Sequence, residues 1–205
     1  MNYALAYRIG FHPWEDAEDH PPFVEKISAL FDQEEAGREP PYGRALDLGT
    51  GSGIWGVQLA KRGWQVTGVD NVAKALRRAQ ERVRDAGVDM RLVEGDVTNL
   101  RAAGIGTGYG LVLDTGTFHG LRDDEREAMG REVTAVASPG ATLLLIAWPR
   151  RKRPLIRGVN RAELEAAFPG WTVADAGPSH FLAPKPIELL LRPDERWYRL
   201  TRSEV

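Results

Sequence analysis

The chain has 205 residues, which fits one domain of ordinary size and leaves little room for a second. It carries 27 Lys and Arg against 29 Asp and Glu, a net charge of −2, so a global cationic surface for nucleic acid is not expected. Cysteine is absent, which excludes disulfides, thiolate zinc sites and a thiol nucleophile. Neither a signal-peptide pattern nor an apolar run of about 20 residues is found, so we expect a cytoplasmic protein with no membrane partner.

The first 43 residues precede the first predicted strand and contain one predicted helix, at residues 22–35. Its apolar residues recur at helical spacing and define one buried face, made of Phe23, Ile27, Leu30 and Phe31. A stretch rich in Pro and Gly at residues 39–43 then interrupts the pattern. We predict that residues 1–43 form an N-terminal lid and helical segment, packed on a domain made of residues 44–205.

From residue 44 onward, strand-like apolar runs alternate with segments of helical period. Five strands are predicted, at residues 44–48, 65–70, 90–94, 110–114 and 141–148. Helices are predicted at residues 72–86 and 123–138, with Pro139 and Gly140 ending the second one before the fifth strand. This alternation is typical of a parallel sheet with helices on both faces.

The C-terminal part contains a short predicted helix and two predicted strands. Asn160 followed by Glu163 resembles a capping box and predicts a helix that reaches Ala167. Residues 171–174 and 197–201 predict an antiparallel pair at one edge of the sheet. The predicted fold is therefore α/β, a doubly wound, mostly parallel seven-stranded sheet with an antiparallel edge strand.

A basic cluster at residues 150–153, Arg-Arg-Lys-Arg, follows the fifth predicted strand and is expected to lie in a loop. Two interpretations of this cluster stay open. It is either a solvated loop or a site that recognises an anionic group.

A glycine-rich turn, LDLGTGSGIWG at residues 46–56, joins the first predicted strand to a helix. Gly49, Gly51 and Gly53 allow the backbone to approach a ligand closely and to adopt positive φ angles. Gly51, Gly53 and Gly56 also satisfy the G-x-G-x-x-G spacing of dinucleotide sites. Glycine spacing alone therefore leaves both NAD and S-adenosylmethionine open as cofactors.

Two aspartates at the ends of predicted strands help to separate these cofactors. Asp47 lies directly beside the glycine turn, where its charge would repel a pyrophosphate and attract the ammonium and sulfonium groups of S-adenosylmethionine. Asp70, followed by Asn71, ends the second strand, where an acidic residue accepts hydrogen bonds from ribose hydroxyls. The charge of Asp47 favours S-adenosylmethionine.

Further polar residues follow the third and fourth predicted strands. Asp96 and Val97 come after the third strand, where they are candidates to receive an adenine amino group. Asp114 ends the fourth strand and is a candidate for both cofactor binding and catalysis, with ordering of the next turn as the alternative. His119 is the candidate general base, with a wall residue as the alternative. Because the carboxyl ends of parallel strands share one edge, we expect cofactor and substrate to meet there.

The order of these motifs over residues 44–148 resembles that of class I S-adenosylmethionine-dependent methyltransferases. Residues 10–16, Gly-Phe-His-Pro-Trp-Glu-Asp, are similar to the T-P-W-D segment of the thiol, thiopurine, halide and heterocycle methyltransferases. His12 stands where that group has threonine, and Glu15 stands where it has aspartate.

The resemblance implies a role for each matching position. Trp14 would cover the sulfonium region, and residues 49–53 would hold the methionine end of the cofactor. Asp70 would hold the ribose, and Asp96 with Val97 would contact the adenine.

We therefore expect methyl transfer from S-adenosyl-L-methionine to the S, N or O atom of a small molecule, giving S-adenosyl-L-homocysteine without a metal. Two alternatives are a cofactor-binding sensor without turnover and an NAD-dependent oxidoreductase. Nucleic-acid methylation is disfavoured, because the fourth strand is followed by Asp-Thr-Gly-Thr and not by the N-P-P-Y type of motif. The identity of the acceptor and the oligomeric state stay open.

Overall fold

The computed structural model of the chain describes residues 17–150, 157–180 and 195–204. Its helices are α1 (Pro21–Glu35), α2 (Ile54–Arg62), α3 (Ala73–Ala86), α4 (Asp123–Val136) and α5 (Arg161–Ala167). Its strands are β1 (Arg44–Leu48), β2 (Gln65–Asp70), β3 (Met90–Glu94), β4 (Tyr109–Asp114), β5 (Ala137–Ala147), β6 (Trp171–Pro178) and β7 (Arg196–Arg202). None of the helices within these ranges has the length and apolar character needed to cross a membrane.

The strands form one seven-stranded sheet in the order β3-β2-β1-β4-β5-β7-β6. The first five pair in parallel, while β7 runs antiparallel to both β5 and β6. This topology confirms the predicted fold class. The strand order reverses direction between β1 and β4, and the carboxyl ends of strands at such a switch point border the crevice where ligands bind.

The predicted bounds of β1, β2 and β3 agree with the structure to the residue. The prediction that Pro139 and Gly140 separate a helix from the fifth strand is wrong, because β5 already begins at Ala137. Ala137 pairs with Tyr109, and the register with β4 shifts before the regular pairing resumes. The exposed Pro139 and Gly140 lie within this irregular strand start, where a missing N–H and a positive φ angle are tolerated.

The sheet is covered on both faces by apolar clusters. Alternation along β1 directs Leu46 and Leu48 to the cluster that includes Val133 of α4 and Leu164 of α5. Ala45 joins the opposite cluster, to which α1 and α2 contribute. Burial on both faces explains why the parallel strands read as continuous apolar runs in the sequence.

Helix α1 is fixed to the rest of the molecule by its predicted apolar face and by ion pairs with Arg62 and Arg199. Glu34 accepts hydrogen bonds from Arg199 of β7, with Nε–Oε1 and Nη2–Oε2 distances of 2.6 and 3.0 Å. Glu35 accepts from Nε of Arg62 at 2.8 Å. The residues predicted to form its buried face are all buried: Phe23, Ile27, Leu30 and Phe31. Helix α1 therefore packs as part of the core.

Gly130 of α4 provides a test of the packing between α4 and α5. A Cβ atom at this position would lie 1.8 Å from the carbonyl oxygen of Ala167, so Gly130→Ala forces the helices apart. We expect it to lower the free energy of unfolding by about 2 kcal/mol or more in urea denaturation. Gly110→Ala, at a position of β4 where a Cβ atom would have no neighbour within 4 Å, is the control. Equal stability of the two variants would contradict this packing.

Candidate active site

The glycine turn at residues 49–53 connects β1 to α2 and has a left-handed backbone at three positions. The φ angles of Gly49, Gly51 and Gly53 are 62°, 55° and 79°. A Cβ atom on Gly49 would lie 2.0 Å from Oγ1 of Thr117, and one on Gly53 would lie 3.1 Å from Cβ of Ala79. The turn therefore needs glycine both for its backbone angles and for close packing against its neighbours.

Asp47 lies below this turn with only 1% of its surface exposed. Its Oδ2 accepts a hydrogen bond of 2.6 Å from the hydroxyl of Thr50, whereas its Oδ1 is buried and has no hydrogen-bond partner in the described part of the chain. Burial, together with the nearby charges of Asp114 and Asp70, raises the pKa of Asp47 to about 7. An unpaired carboxylate oxygen at this depth is well suited to a cationic ligand.

Asp70 links the glycine turn to the beginning of α3. Its Oδ2 accepts from the backbone N–H of Gly51 at 2.9 Å, and its Oδ1 accepts from the N–H of Val72 at 2.8 Å. Burial raises the pKa of Asp70, while these hydrogen bonds oppose that shift. Each carboxylate oxygen has two lone pairs, so both keep capacity for a further donor. The neighbouring Asn71 is exposed.

Asp114 is fully buried at the end of β4 and organises the loop that follows. Its Oδ1 accepts from the N–H groups of Gly116 and Thr117 at 2.8 and 2.6 Å, and its Oδ2 accepts from Phe118 at 2.9 Å. Burial raises the pKa of Asp114 to about 6, against the effect of these three donors. The geometry thus shows the turn-ordering role. Through Thr117, this loop contacts the glycine turn.

His119 lies on the 3₁₀ turn Phe118–Gly120, with its ring edge-on to Trp148 at a centroid distance of 6.4 Å. The ring donates a hydrogen bond to the carbonyl of Ile146. Its Nδ1 is buried and has no partner among the described residues. Burial, assisted by the charge of Arg126, lowers the pKa of His119 to about 4. The imidazole is therefore neutral near pH 7, and its Nδ1 is an unprotonated acceptor.

Arg126 of α4 is a buried residue that the sequence analysis missed. Its Nη2 donates to the carbonyls of His119 and Gly158 at 3.0 and 2.6 Å, and its Nε donates to the carbonyl of Phe118 at 3.3 Å. One guanidinium thereby joins the loop after β4 to the chain before α5. A signal was present in the sequence, since Arg126 shares helical spacing with buried positions of α4: Met129, Gly130 and Val133.

The other predicted site residues have different surroundings. Asp96 is exposed, and its Oδ1 accepts from the N–H and the hydroxyl of Thr98 at 2.8 and 2.7 Å, so it orders the turn after β3. Val97 is buried in the core. Trp14 and residues 151–153 of the basic cluster lie outside the described residues. Within the described ranges, no group of three or more His, Asp or Glu side chains could hold a metal ion.

The sheet order and the site together define a class of protein. Asp47 of β1 and Asp70 of the neighbouring strand β2 both hydrogen-bond to the glycine turn, and β1 borders the topological switch point. A buried acid below a glycine turn suits a cationic cofactor better than a dinucleotide. The doubly wound fold and this acidic site are those of S-adenosylmethionine-dependent methyltransferases.

Comparisons with known proteins agree with this class. A family model described as a methyltransferase domain matches residues 45–140. The chain is 26% identical over 177 residues to 2-heptyl-1-hydroxyquinolin-4(1H)-one methyltransferase of Mycobacteroides abscessus, a match that covers 83% of this chain and 73% of that protein. It is 30% identical over 123 residues to ribosomal RNA small subunit methyltransferase C of Alcanivorax borkumensis, covering 58% of this chain and only 36% of that protein.

Among solved structures, the fold is similar to that of 1,6-didemethyltoxoflavin-N1-methyltransferase from Burkholderia thailandensis, with a TM-score of 0.68 and 16% identity. That match covers 98% of this chain and 86% of the other. This likeness shows the fold, while the domain match and the quinolinone methyltransferase relative confirm the predicted class. The chain carries a class I S-adenosylmethionine-dependent methyltransferase domain.

Because its pKa is raised in the folded state, Asp47 lowers the free energy of unfolding, and a substitution by a neutral residue should remove this effect. An aspartate that titrates near pH 4 when unfolded and near pH 7 when folded destabilises the folded state increasingly as the pH rises between these values. We expect Asp47→Asn to raise the free energy of unfolding of the ligand-free protein at pH 8, by on the order of 2 kcal/mol. The gain should shrink as the pH is lowered to 5.

Thermal and urea unfolding at both pH values provide the measurement. Asp89→Asn, at an exposed position just before β3, is the control for the effect of the substitution itself. A gain for Asp47→Asn that is equal at pH 5 and pH 8 would argue against an elevated pKa.

Proposed function

We propose that this chain transfers the methyl group of S-adenosylmethionine to an S, N or O atom of a small molecule. The observation that carries the proposal is the buried carboxylate of Asp47, whose Oδ1 has no partner among the described residues, directly below the glycine turn. Asp70 adds a second buried carboxylate on the neighbouring strand. A cation at this turn would pair with charge that the fold otherwise leaves uncompensated.

The same charges argue against the NAD-dependent alternative. The pyrophosphate of a dinucleotide carries negative charge, and it would lie beside Asp47 at the glycine turn. Like charges repel strongly where water is excluded, and no cationic side chain contacts the Asp47 carboxylate among the described residues. The ammonium group of S-adenosylmethionine is positively charged, so the Asp47 carboxylate would attract it.

Each predicted binding residue keeps its role within this proposal. Residues 49–53 would hold the methionine end of the cofactor, and Asp70 with Asn71 would hold the ribose. Asp96 and Val97 would border the adenine, and Trp14 would cover the sulfonium as part of an N-terminal lid at residues 1–43, on a domain at residues 44–205. When bound, the cofactor supplies a methyl group that is already activated. The protein's contribution is therefore mainly alignment and the exclusion of water.

His119 is proposed as the group that accepts a proton from the acceptor. Its Nδ1 is unprotonated near pH 7 and has no partner among the described residues, and Asp114 and Arg126 fix the loop that carries it. Because burial lowers its pKa to about 4, it is a weak base. It therefore suits an amine or hydroxyl whose proton becomes acidic as the new bond to carbon forms. A thiolate acceptor needs no base.

A small acceptor is favoured over a nucleic acid. One relative is named for a quinolinone acceptor, and one structural neighbour contains bound 1,6-didemethyltoxoflavin. The ribosomal RNA methyltransferase is matched over only 36% of its length. The net charge of −2 also provides no global attraction for a polyanion.

Calorimetry with S-adenosylmethionine, S-adenosylhomocysteine and NAD tests the cofactor. Binding of the first two without NAD is expected, and binding of NAD alone would overturn the proposal. Labelled S-adenosylmethionine with a panel of thiols, phenols and heterocyclic amines then tests turnover. Tight binding with no labelled product from any acceptor would favour the sensor alternative.

His119→Ala tests the proposed base. With a hydroxyl or amine acceptor from that panel, we expect turnover to fall about 100-fold, because the proton loses its acceptor. Affinity for S-adenosylhomocysteine should stay unchanged, and turnover of a thiol should be nearly unaffected. Steady-state kinetics on both acceptor types make the comparison. An equal loss on both types would instead assign His119 a structural role in the wall of the site.

A further inference from the structure

The indole nitrogen of Trp197, near the beginning of β7, is a hydrogen-bond donor inside the molecule. The side chain is fully buried, and its Nε1 has no hydrogen-bond partner in the described part of the chain. Tryptophan N–H groups usually find a partner when they are buried, because an unpaired buried donor lowers the stability of the fold. This donor is therefore a candidate to bind a ligand.

Trp197 lies at the same edge of the sheet as the glycine turn. It pairs with Ile146, the last residue but one of β5, across the antiparallel strands β5 and β7. The beginning of β7 therefore lies beside the carboxyl end of β5, at the edge where ligands bind in open α/β sheets. The pairing of β4 with β5 ends at Asp114 and Leu145, so Ile146 lies just beyond the end of β4.

Two unpaired groups of opposite kind lie beside Ile146. The ring of His119 donates to the carbonyl of Ile146, and its Nδ1 is an acceptor without a partner among the described residues. Trp197, the cross-strand neighbour of the same residue, brings an unpaired donor. A free acceptor and a free donor suit a molecule that carries both a donor and an acceptor of its own.

Aromatic side chains surround these two groups. The ring centroid of Trp197 is 6.0 Å from that of Phe23, which is in turn 5.5 Å from that of Trp55. Trp55 is the second residue of α2, directly after the glycine turn. The ring of Trp148 packs against that of His119. Aromatic walls favour a flat ring, and pockets that bury most of a ligand recognise it with a few buried polar groups.

We propose that the methyl acceptor is a flat heteroaromatic molecule, and that Trp197 selects it by donating from Nε1 to its oxo group or ring nitrogen. The nucleophile of the same molecule takes the methyl group from sulfur and gives its proton to Nδ1 of His119. A ring without the oxo group or nitrogen leaves the Trp197 donor unpaired, so it binds more weakly. This inference rests on the proposed function, since it names the acceptor class for the same site.

Matched pairs of rings test the inference in calorimetric titrations of the full chain saturated with S-adenosylhomocysteine. The probes are hydroxyquinolines and the naphthols that carry the hydroxyl at the same carbon, so that the members of a pair differ only in the ring nitrogen. We expect at least one hydroxyquinoline to bind about 10-fold more tightly than its naphthol, because only the quinoline accepts the Trp197 hydrogen bond.

Trp197→Phe keeps an aromatic ring and removes the donor. The preferred hydroxyquinoline and its naphthol should then bind within about 2-fold of each other. Trp171→Phe is the matched control, because Nε1 of Trp171 already donates to Oγ1 of Thr134 at 2.9 Å. Trp171 pairs with Arg202 at the opposite edge of the sheet, so this variant should keep the preference even if its thermal stability falls.

NMR of the unsubstituted chain provides a second measurement. The chain has six tryptophans, and nitrogen-labelled tryptophan gives one indole N–H resonance for each. In the presence of S-adenosylhomocysteine, the preferred hydroxyquinoline should shift the Trp197 resonance downfield, as a new hydrogen bond does, and its naphthol should not. The Trp171 resonance should stay in place with both probes.

The results separate the possible failures. If no hydroxyquinoline binds better than its naphthol, or if Trp197→Phe keeps the preference, the inference is wrong, while binding of S-adenosylhomocysteine leaves the proposed function intact. If Trp197→Phe does not fold, the indole resonance decides, and an unchanged Trp197 resonance overturns the inference. If the unsubstituted chain does not bind S-adenosylhomocysteine, the proposed function fails and this inference fails with it.

Discussion

The burial of an acidic side chain below a glycine turn is the constraint on which the rest of this site depends. Asp47 is removed from water, and its pKa is raised to about 7 by burial and by two neighbouring aspartates. At pH values above its unfolded pKa, such a residue lowers the stability of the free protein. In the proposed function, a cation bound at the turn pairs with this carboxylate and offsets that cost. Gly49 and Gly53 let the turn pack closely, since a Cβ atom at either position would press against Thr117 or Ala79.

The loop after β4 carries His119 and follows the strand end at the same edge of the sheet. Asp114 accepts hydrogen bonds from backbone N–H groups of the loop with both carboxylate oxygens, and Arg126 donates to carbonyls of the same loop. Burying a guanidinium is costly unless its donors are satisfied. The Nε and Nη2 donors of Arg126 join the loop after β4 to Gly158, whereas its buried Nη1 has no hydrogen-bond partner among the described residues. His119 therefore occupies a fixed position with its Nδ1 unprotonated. In the proposed function, the acceptor contacts loops such as this one, and loops vary more than the sheet among proteins that share a fold.

Much of the fold could be predicted because the signals are local. The bounds of β1, β2 and β3, the buried face of α1 and the capping box of α5 each depend on residues close together in the sequence. The beginning of β5 was predicted wrongly for the opposite reason. The local propensities of Pro139 and Gly140 predict a break between helix and strand. Pairing with β4 nevertheless begins at Ala137, so β5 runs through both residues. Tertiary contacts outweigh local propensity there.

The class of this protein, the glycine turn and the acids at or near the ends of β1, β2 and β4 could be predicted from local patterns of residues, because parallel strands bring their carboxyl ends to one edge. What those acids and the nearby arginines contact became visible only in the folded molecule. Asp114 and Asp96 are hydrogen-bonded within their own loops, Arg126 is buried between two loops, and Arg82 joins Glu18 to the glycine turn. For the arginines, these contacts depend on the approach of segments far apart in the chain, which no local pattern of residues encodes.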